Sequence, residues 1–508
     1  MSMLGKKKWF SSVFILSLST VFFAACSNGG ATNETGKTAG EKSDKVGPPV
    51  KLQIMTQSFG VPLPSEENNL VKQVLKEKTN VEIEMINPPD AEYRTQVNAR
   101  LAGADFPDLF KVENDQIQQF GKQGLLLDLT PYLDKELKAV KDYLGEADLL
   151  KGTVEGKVYA LPKKPAIPYG NLWIRKDWLD NLKLSVPSTL EELQAVATAF
   201  TEKDPDGNNQ KDTYGYGGMG LTAFNPILGA FGVGGINDFY AKDGKLIYSP
   251  MDPDMKAAIE FIKQFMKSGA VDPDLLTTTS EANAAKKAFQ GKIGILNIGF
   301  PNMTAVQYVE EYKTVNPKAE WIQVAPPKGP KGAYSGAWDV AATPGMHAIP
   351  KSLEKDPDKL QKVFDLLGYI ATPEGADLVA HGVEGRHWKV ENGLKVRLEA
   401  RKTEHFWAYQ LLGRDEVEYL KPGYPPKDVE MSAKTPRIQS FNSYLSYPEG
   451  YNHADSTRYV TEELVKFIYG KRQLNEYDAF LQTLNTTFKF NLMLDAANKR
   501  VDELKLIK

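Results

Sequence analysis

VKLQIMTQSFGVPLPSEENNLVKQVLKEKTNVEIEM, residues 50–85, sets the fold class. Leu52 and Ile54 alternate with Lys51 and Gln53, the period of two of a strand. Leu70, Val71, Val74 and Leu75 recur at helical spacing, and Val81, Ile83 and Met85 then alternate with Glu82 and Glu84. Strand, helix and strand in this order form a parallel βαβ unit, because parallel neighbours need a crossover between them. In open sheets of this kind ligands bind beyond the carboxyl ends of the strands. Gln57 and Phe59, in the loop after the first strand, are therefore candidate ligand contacts.

Upstream, Lys6, Lys7 and Lys8 precede an apolar run from Trp9 to Ala25 that only serines and a threonine interrupt. The run is shorter than the roughly 20 apolar residues of a bilayer crossing, and it ends on the small pair Ala24-Ala25. Residues 1–25 thus read as an export signal that a signal peptidase removes. Cys26 is the sole cysteine of 508 residues, so it has no partner for an internal disulfide. Its position resembles the lipid-modified cysteine of a bacterial lipobox, with Phe23 where that motif carries Leu. Two or three acyl chains would anchor the protein stably to the outer face of the cell membrane. Residues 27–49 are rich in Gly, Ser, Thr and Lys. With almost no apolar side chain, nothing there offsets the entropy of ordering, so residues 26–49 read as a lipidated cysteine and a flexible tether.

Loss of the three signal-peptide lysines takes the formal charge from −3 to −6, spread over a large surface. That argues against a nucleic-acid partner. The whole chain is 42% hydrophobic, with no second apolar run long enough to span a membrane. The mature part reads as soluble and globular, and its length implies more than one domain.

Longer matches follow in order. LAGADFPDLF (101–110), GLLLDLTPYLD (124–134), GKVYALP (156–162), LWIRKDWLDNLKLSVPSTLEEL (172–193) and YIATPEGADLVAHGVEGRHW (369–388) stand in the order and spacing of family 1 extracellular solute-binding proteins. The chain most resembles the large Gram-positive lipoprotein branch that includes LplA-like and alginate-oligosaccharide-binding members. The resemblance covers nearly all of residues 50–490. It implies an α/β, two-lobe periplasmic-binding-protein-like fold of type II, with hinge segments joining the lobes and a ligand cleft between them. The first lobe would hold residues 50–165 and 340–398, the second residues 166–339 and 399–508. Crossings are expected near Leu161–Pro168, Trp338–Thr343 and Leu394–Arg401. The resemblance further implies a monomer that captures an oligosaccharide by lobe closure and delivers it to the membrane permease of an ABC importer, without catalysis.

The most specific local signal is Asp204-Pro205-Asp206-Gly207-Asn208-Asn209-Gln210-Lys211-Asp212. Oxygen ligands from Asp204, Asp206, Asn208 and Asp212, with Gln210 adding a backbone carbonyl, would wrap one hard cation, for which calcium is the natural candidate. Gly207 at the fourth place and Gly215 at the twelfth depart from the EF-hand pattern. A further ligand must therefore come from elsewhere in the fold or from water. The alternative is an acidic, Asx-rich turn between helix and strand.

A sugar presents apolar ring faces edged by hydroxyls, so its site needs aromatic platforms beside polar side chains. Trp173 and Arg175 share one face of a strand just after the first crossing. Trp338 and Asp339 lie at the second. Glu384, Arg386 and Trp388 combine a carboxylate, a guanidinium and an indole in one glycine-containing loop, and Trp407 follows. Each indole has core packing as its alternative, above all Trp178, which sits in a helical segment. With Arg175 and Arg386 in the cleft, bidentate contacts to a uronate carboxylate would favour acidic sugars.

Catalytic signatures are sparse. The GxGxxG of Gly215, Gly217 and Gly220 lacks the preceding buried strand of a dinucleotide fold and reads as a turn. GxxxxGK[ST], HExxH and GxSxG are absent, and the five histidines show no familiar metal spacing. The competing reading is a lipid-anchored polysaccharide lyase or glycoside hydrolase, which release of cleaved product would reveal.

Overall fold

The alternation within residues 50–85 becomes two parallel strands, Val50–Met55 and Val81–Ile86, joined by the helix Leu70–Thr79. This computed structural model describes residues 47–58 and 60–507. The expected export signal, Cys26, most of the tether and Phe59 lie outside the described residues. Asn69 starts the helix by accepting from the Lys72 N–H at 3.2 Å, which satisfies one of the donors a helix start leaves open. Leu109–Val112 joins the first strand in parallel, and Met346–Ala348 and Leu161–Pro162 extend the sheet antiparallel. A strand from far along the chain thus sits between two early ones.

The two faces of this sheet fill different cores, as the period of two requires. Leu52, Ile54 and Leu109 pack with the helices Lys138–Leu144, Pro357–Ile370 and Pro373–His381. Met55, Phe110 and Val112 pack with Asp90–Ala102 and Asn114–Lys122. Thr372 caps the helix Pro373–His381, its hydroxyl accepting from the Gly375 N–H at 3.1 Å, with Pro373 at the first helical position.

The second lobe is built around two sheets. One has the order Trp321–Val324, Gly170–Arg175, Ile293–Gly299, Tyr214–Gly217; the other runs Lys245–Tyr248, Phe239–Lys242, Ile438–Ser440, Ala337–Asp339. Leu172, Ile174 and Ile295 face the helices Leu190–Glu202 and Met255–Lys267, while Trp173, Leu296 and Ile298 face the opposite layer. The closing helices His453–Ile468, Tyr477–Thr486 and Phe490–Leu504 complete the first of these cores. No helix among the described residues is long and apolar enough to cross a membrane.

Three chain segments cross between the lobes side by side. The Lys163 N–H donates to the Gly345 carbonyl at 2.9 Å, the Lys164 N–H to the Leu412 carbonyl at 3.0 Å, and the Thr343 hydroxyl to the Lys163 carbonyl at 3.0 Å. The third crossing differs from the expected Leu394–Arg401. Trp407, Ala408, Leu411 and Leu412 are buried in the core of the first lobe, where the Trp407 indole donates to Asn69 at 3.0 Å. An earlier crossing would forfeit that burial, so residues 399–412 stay with the first lobe and the chain crosses at Gly413. This glycine has φ +72°, and a Cβ would stand 2.8 Å from the Lys164 nitrogen. The approach of the two crossing strands requires glycine here.

Candidate functional site

The crossings bring side chains of both lobes to one cavity. The Tyr169 phenol, just ahead of the strand Gly170–Arg175, donates to Glu416 at 2.7 Å. Arg414, immediately past the third crossing, pairs with the other Glu416 oxygen at 3.2 Å. These three border a cavity of ≈ 400 Å³, which Glu281, Asn302 and Tyr419 close from the second lobe. Arg397 reaches in from the hairpin of Trp388–Glu391 and Leu394–Arg397. That hairpin is tied to the first lobe by the Trp388 indole, which donates to the Gly382 carbonyl at 3.0 Å.

Tyr169 and Glu281 also border a neighbouring cavity of ≈ 260 Å³ lined by Trp338, Asn297, Ser335 and Arg437. Arg437 holds the wall together, donating to the carbonyls of Ser432 at 3.2 Å, of Thr435 at 3.1 Å and of Gly170. Burial brings its pKa down to about 10. Asn297 Oδ1 and Ser335 Oγ are buried with no protein partner among the described residues. An unpaired buried polar atom costs about 1–3 kcal/mol, and a ligand hydroxyl would remove that cost. An indole face beside such atoms suits a sugar ring. A separate aromatic cavity of ≈ 200 Å³, around Tyr248, Tyr447 and His453, is lined by the second lobe alone and shares no residue with these two.

Of the candidate contacts read from the sequence, Trp338 lies in this cavity wall. Trp173 and Arg175 do share a strand face, but it is a core face: both are 1% exposed. Arg175 binds Asp177 through two nitrogens and lies 4.6 Å from the Trp178 ring, itself buried as expected. Trp388 and Trp407 are also buried, each indole N–H bonded within the first lobe. Arg386 and Glu384 are exposed, and Arg386 forms a bidentate pair with Glu404. The uronate argument from Arg175 and Arg386 therefore fails, since both guanidiniums already hold carboxylates. Asp339 organises the second crossing, accepting from the N–H groups of Ala341 at 2.9 Å and Ser443 at 2.8 Å. Gln57 lies at the carboxyl end of the first strand and accepts from Lys111.

The cavity residues missed in the sequence are Tyr169, Glu281, Asn297, Arg397, Arg414 and Tyr419. They come from segments far apart in the chain, and apart from Asn297 no local pattern marks them. Asn297 was the one open to inference, as a polar residue in the otherwise apolar strand Ile293–Gly299.

In the acidic loop the Asp204 carboxylate accepts from the N–H groups of Asn208 and Asn209, each at 3.0 Å. The Asn208 amide nitrogen lies between Asp206 and Asp212, at 3.0 and 3.2 Å. Gln210 takes part through its N–H, which donates to the Asn208 side chain at 2.7 Å, and Lys292 binds Asp212. Burial, and then the neighbouring Asp204 carboxyl, raises the pKa of Asp206, whose Oδ1 is buried without a partner. Among the described residues no group of three His, Cys, Asp or Glu side chains is arranged to hold a metal. The loop nevertheless fits a cation in one respect: Asp206 Oδ1 is a buried acceptor without a partner among the described residues, in a loop that also holds the carboxylates of Asp204 and Asp212.

A family model described as "Bacterial extracellular solute-binding protein" matches residues 63–377. The chain belongs to this family. Lipoprotein LipO of Bacillus subtilis strain 168 is 27% identical over 435 residues, covering 83% of this chain and 82% of LipO. The polygalacturonan/rhamnogalacturonan-binding protein YtcQ of the same strain is 29% identical over 373 residues, covering 70% of this chain and 71% of YtcQ. Among solved structures, an EF-hand mutant of the Streptococcus pneumoniae ABC-transporter substrate-binding protein FusA, in complex with fructo-nystose, aligns with a TM-score of 0.64. That alignment, at 18% identity, covers 90% of this chain and 99% of FusA. The solute-binding family accounts for the two α/β lobes and the cavity between them.

Proposed function

We propose that this family member captures an oligosaccharide between its lobes outside the cell and passes it to a separate ABC permease, as a binding protein and not an enzyme. The observation that carries the reading is the pair of adjoining cavities at the crossings: the first lobe's Arg397 enters one, and in the other, on the second-lobe wall, Trp338 lines the cavity with Asn297 Oδ1 and Ser335 Oγ, two buried acceptors that sugar hydroxyls would satisfy. Lobe closure about the three crossings is the hinge motion of binding proteins, and it would enclose the sugar from both sides. Supporting the ligand class, YtcQ binds polygalacturonan and rhamnogalacturonan by its name, and FusA is solved with fructo-nystose.

Attachment to the membrane through a lipidated Cys26 is part of the same reading; its support is the lipobox-like sequence and the lipoprotein name of LipO. A structural calcium in the loop of Asp204, Asp206, Asn208, Gln210 and Asp212 is the further component, in keeping with the EF-hand of FusA. There it would neutralise three carboxylates and fix a turn remote from the sugar.

Calorimetric titration with neutral and uronic oligosaccharides, followed by chromatography of the recovered sugar, tests the reading. Binding with the sugar returned intact is the expected outcome. Cleaved or unsaturated product would establish the lyase or hydrolase instead, and a failure to bind every sugar would overturn the reading.

A further inference from the structure

Tyr419, on the short helix Glu416–Leu420, carries an unusual load of positive charge. The guanidinium carbons of Arg414, Arg397 and Arg401 lie 3.0, 4.6 and 4.7 Å from its ring centre. They arrive from three places: the third crossing, the strand Leu394–Arg397 and the turn Arg401–Glu404. Arg414 is compensated by Glu416, whose other oxygen takes the Tyr169 phenol. Among the described residues Arg397 donates to the Tyr419 carbonyl, and Arg401 to the Ala380 carbonyl at 3.3 Å and toward the Tyr419 phenol. Among the described residues neither has a carboxylate partner, and the Nε of each is buried without an acceptor. Of the neighbouring carboxylates, Glu404 is held by Arg386 and His387, and Glu281, which also lines the cavity, accepts from Asn302 and forms no ion pair among the described residues.

The imbalance is felt by the tyrosine itself. Desolvation alone would raise the Tyr419 phenol pKa, yet Arg414, Arg401 and Arg397 together leave it below the ordinary value. Burial likewise depresses the Arg397 pKa. Half-buried cations without anionic partners are a cost to the fold, and a planar carboxylate matches the guanidinium fork through two parallel hydrogen bonds. Glu281 and Asn302, which line the same cavity, supply acceptor and donor groups for the hydroxyls of the same ring.

We infer that the Arg397–Arg414 wall of the cavity, with Arg401 adding positive charge at the Tyr419 ring, is a subsite for the carboxylate of an acidic sugar, so that the protein selects uronic over neutral oligosaccharides. This rests on the oligosaccharide-binding reading and narrows its ligand class. Polygalacturonan, named for YtcQ, is a polymer of this kind.

The test is calorimetric titration with galacturonic, mannuronic and glucuronic oligosaccharides and with the same compounds after reduction of their carboxyls to alcohols. Binding of at least one acidic sugar about tenfold or more tighter than its reduced form is expected, with a preference that weakens in salt. Arg397→Gln should remove most of that preference, bringing the acidic and reduced forms to similar affinity. Arg414→Gln serves as a second variant, with melting curves to confirm that each is folded. Equal affinity for acidic and reduced sugars, or a preference intact in both folded variants, overturns the inference and leaves the sugar-binding reading standing. Inorganic phosphate displacing the acidic sugar at comparable concentration also overturns it, because the wall would then read charge alone. No binding by any sugar overturns both.

Discussion

Replacing Trp173 and Trp338 in turn separates packing from binding. Trp173 is 1% exposed among Leu296, Ile298 and Trp321. Truncating a fully buried indole to Ala removes roughly 150–200 Å² of buried surface, which at about 25 cal/mol per Å² is about 4 kcal/mol. Large-to-small changes at buried aromatics fall in the same range, about 3–5 kcal/mol. Its indole N–H has no hydrogen-bond partner among the described residues, so packing alone sets the loss. Trp338 is half-buried in the cavity wall. Trp338→Ala should cost less than about 2 kcal/mol of stability, and should weaken sugar binding by about 1.5 kcal/mol, roughly tenfold in Kd. Urea unfolding and calorimetric titration of both variants supply the comparison, with Trp173→Phe in reserve if the alanine variant does not accumulate. A Trp173→Ala protein of unchanged stability but abolished sugar binding would refute the placement of this indole in the core.

Calcium at about 100 times its Kd should stabilise the protein by about 2.7 kcal/mol, a rise of about 5 °C or more in Tm if the second lobe melts as a unit. Asp206→Asn should abolish the rise, and an unchanged Tm with calcium and with chelator would dismiss the metal. Asp238, bonded to Asn442 at 2.8 Å, has its pKa raised by burial to about 6. Between about pH 4 and pH 6 the folded form keeps a proton the unfolded chain has lost, so this group makes stability fall as pH rises, by about 3 kcal/mol in total. Asp238→Asn should therefore gain on the wild type from pH 4 to pH 7; parallel stability curves in denaturant titrations would contradict this. Gly413→Ala places a Cβ against the Lys164 nitrogen at positive φ, and should cost about 1–3 kcal/mol in the same assay. A neutral result would mean that the crossing strands separate freely.

The parts legible from the sequence are those encoded locally. The alternation in Val50–Met55 and the Thr372-Pro373 cap appear as read, because a strand face or a helix start is decided by neighbours in the chain. The aromatic residues misled for a physical reason: alternation shows that Trp173 and Arg175 share a face, but not which layer covers it. That layer includes Phe289, Tyr312 and Val429, more than 100 residues away, while Trp321 on the neighbouring strand brings its ring to 5.6 Å from the Arg175 guanidinium. Arg397 and Arg414 escaped notice for the opposite reason. Each is unremarkable in its own segment, and the charge imbalance exists only where those segments meet around Tyr419.

The interleaving of the first lobe governs the order in which the chain can fold. Met346–Ala348 lies between Leu109–Val112 and Leu161–Pro162, so a chain made from its amino end has its first strands long before the one that joins them. Until that strand arrives, Leu109–Val112 presents an open edge of the kind that invites pairing with other chains. The second lobe is delayed too, since Ile438–Ser440 lies between Phe239–Lys242 and Ala337–Asp339. Neither half can finish as an independent nascent domain, and such long-range pairing makes folding slow. A protein ordered this way can complete neither of these two sheets until most of its length is synthesised.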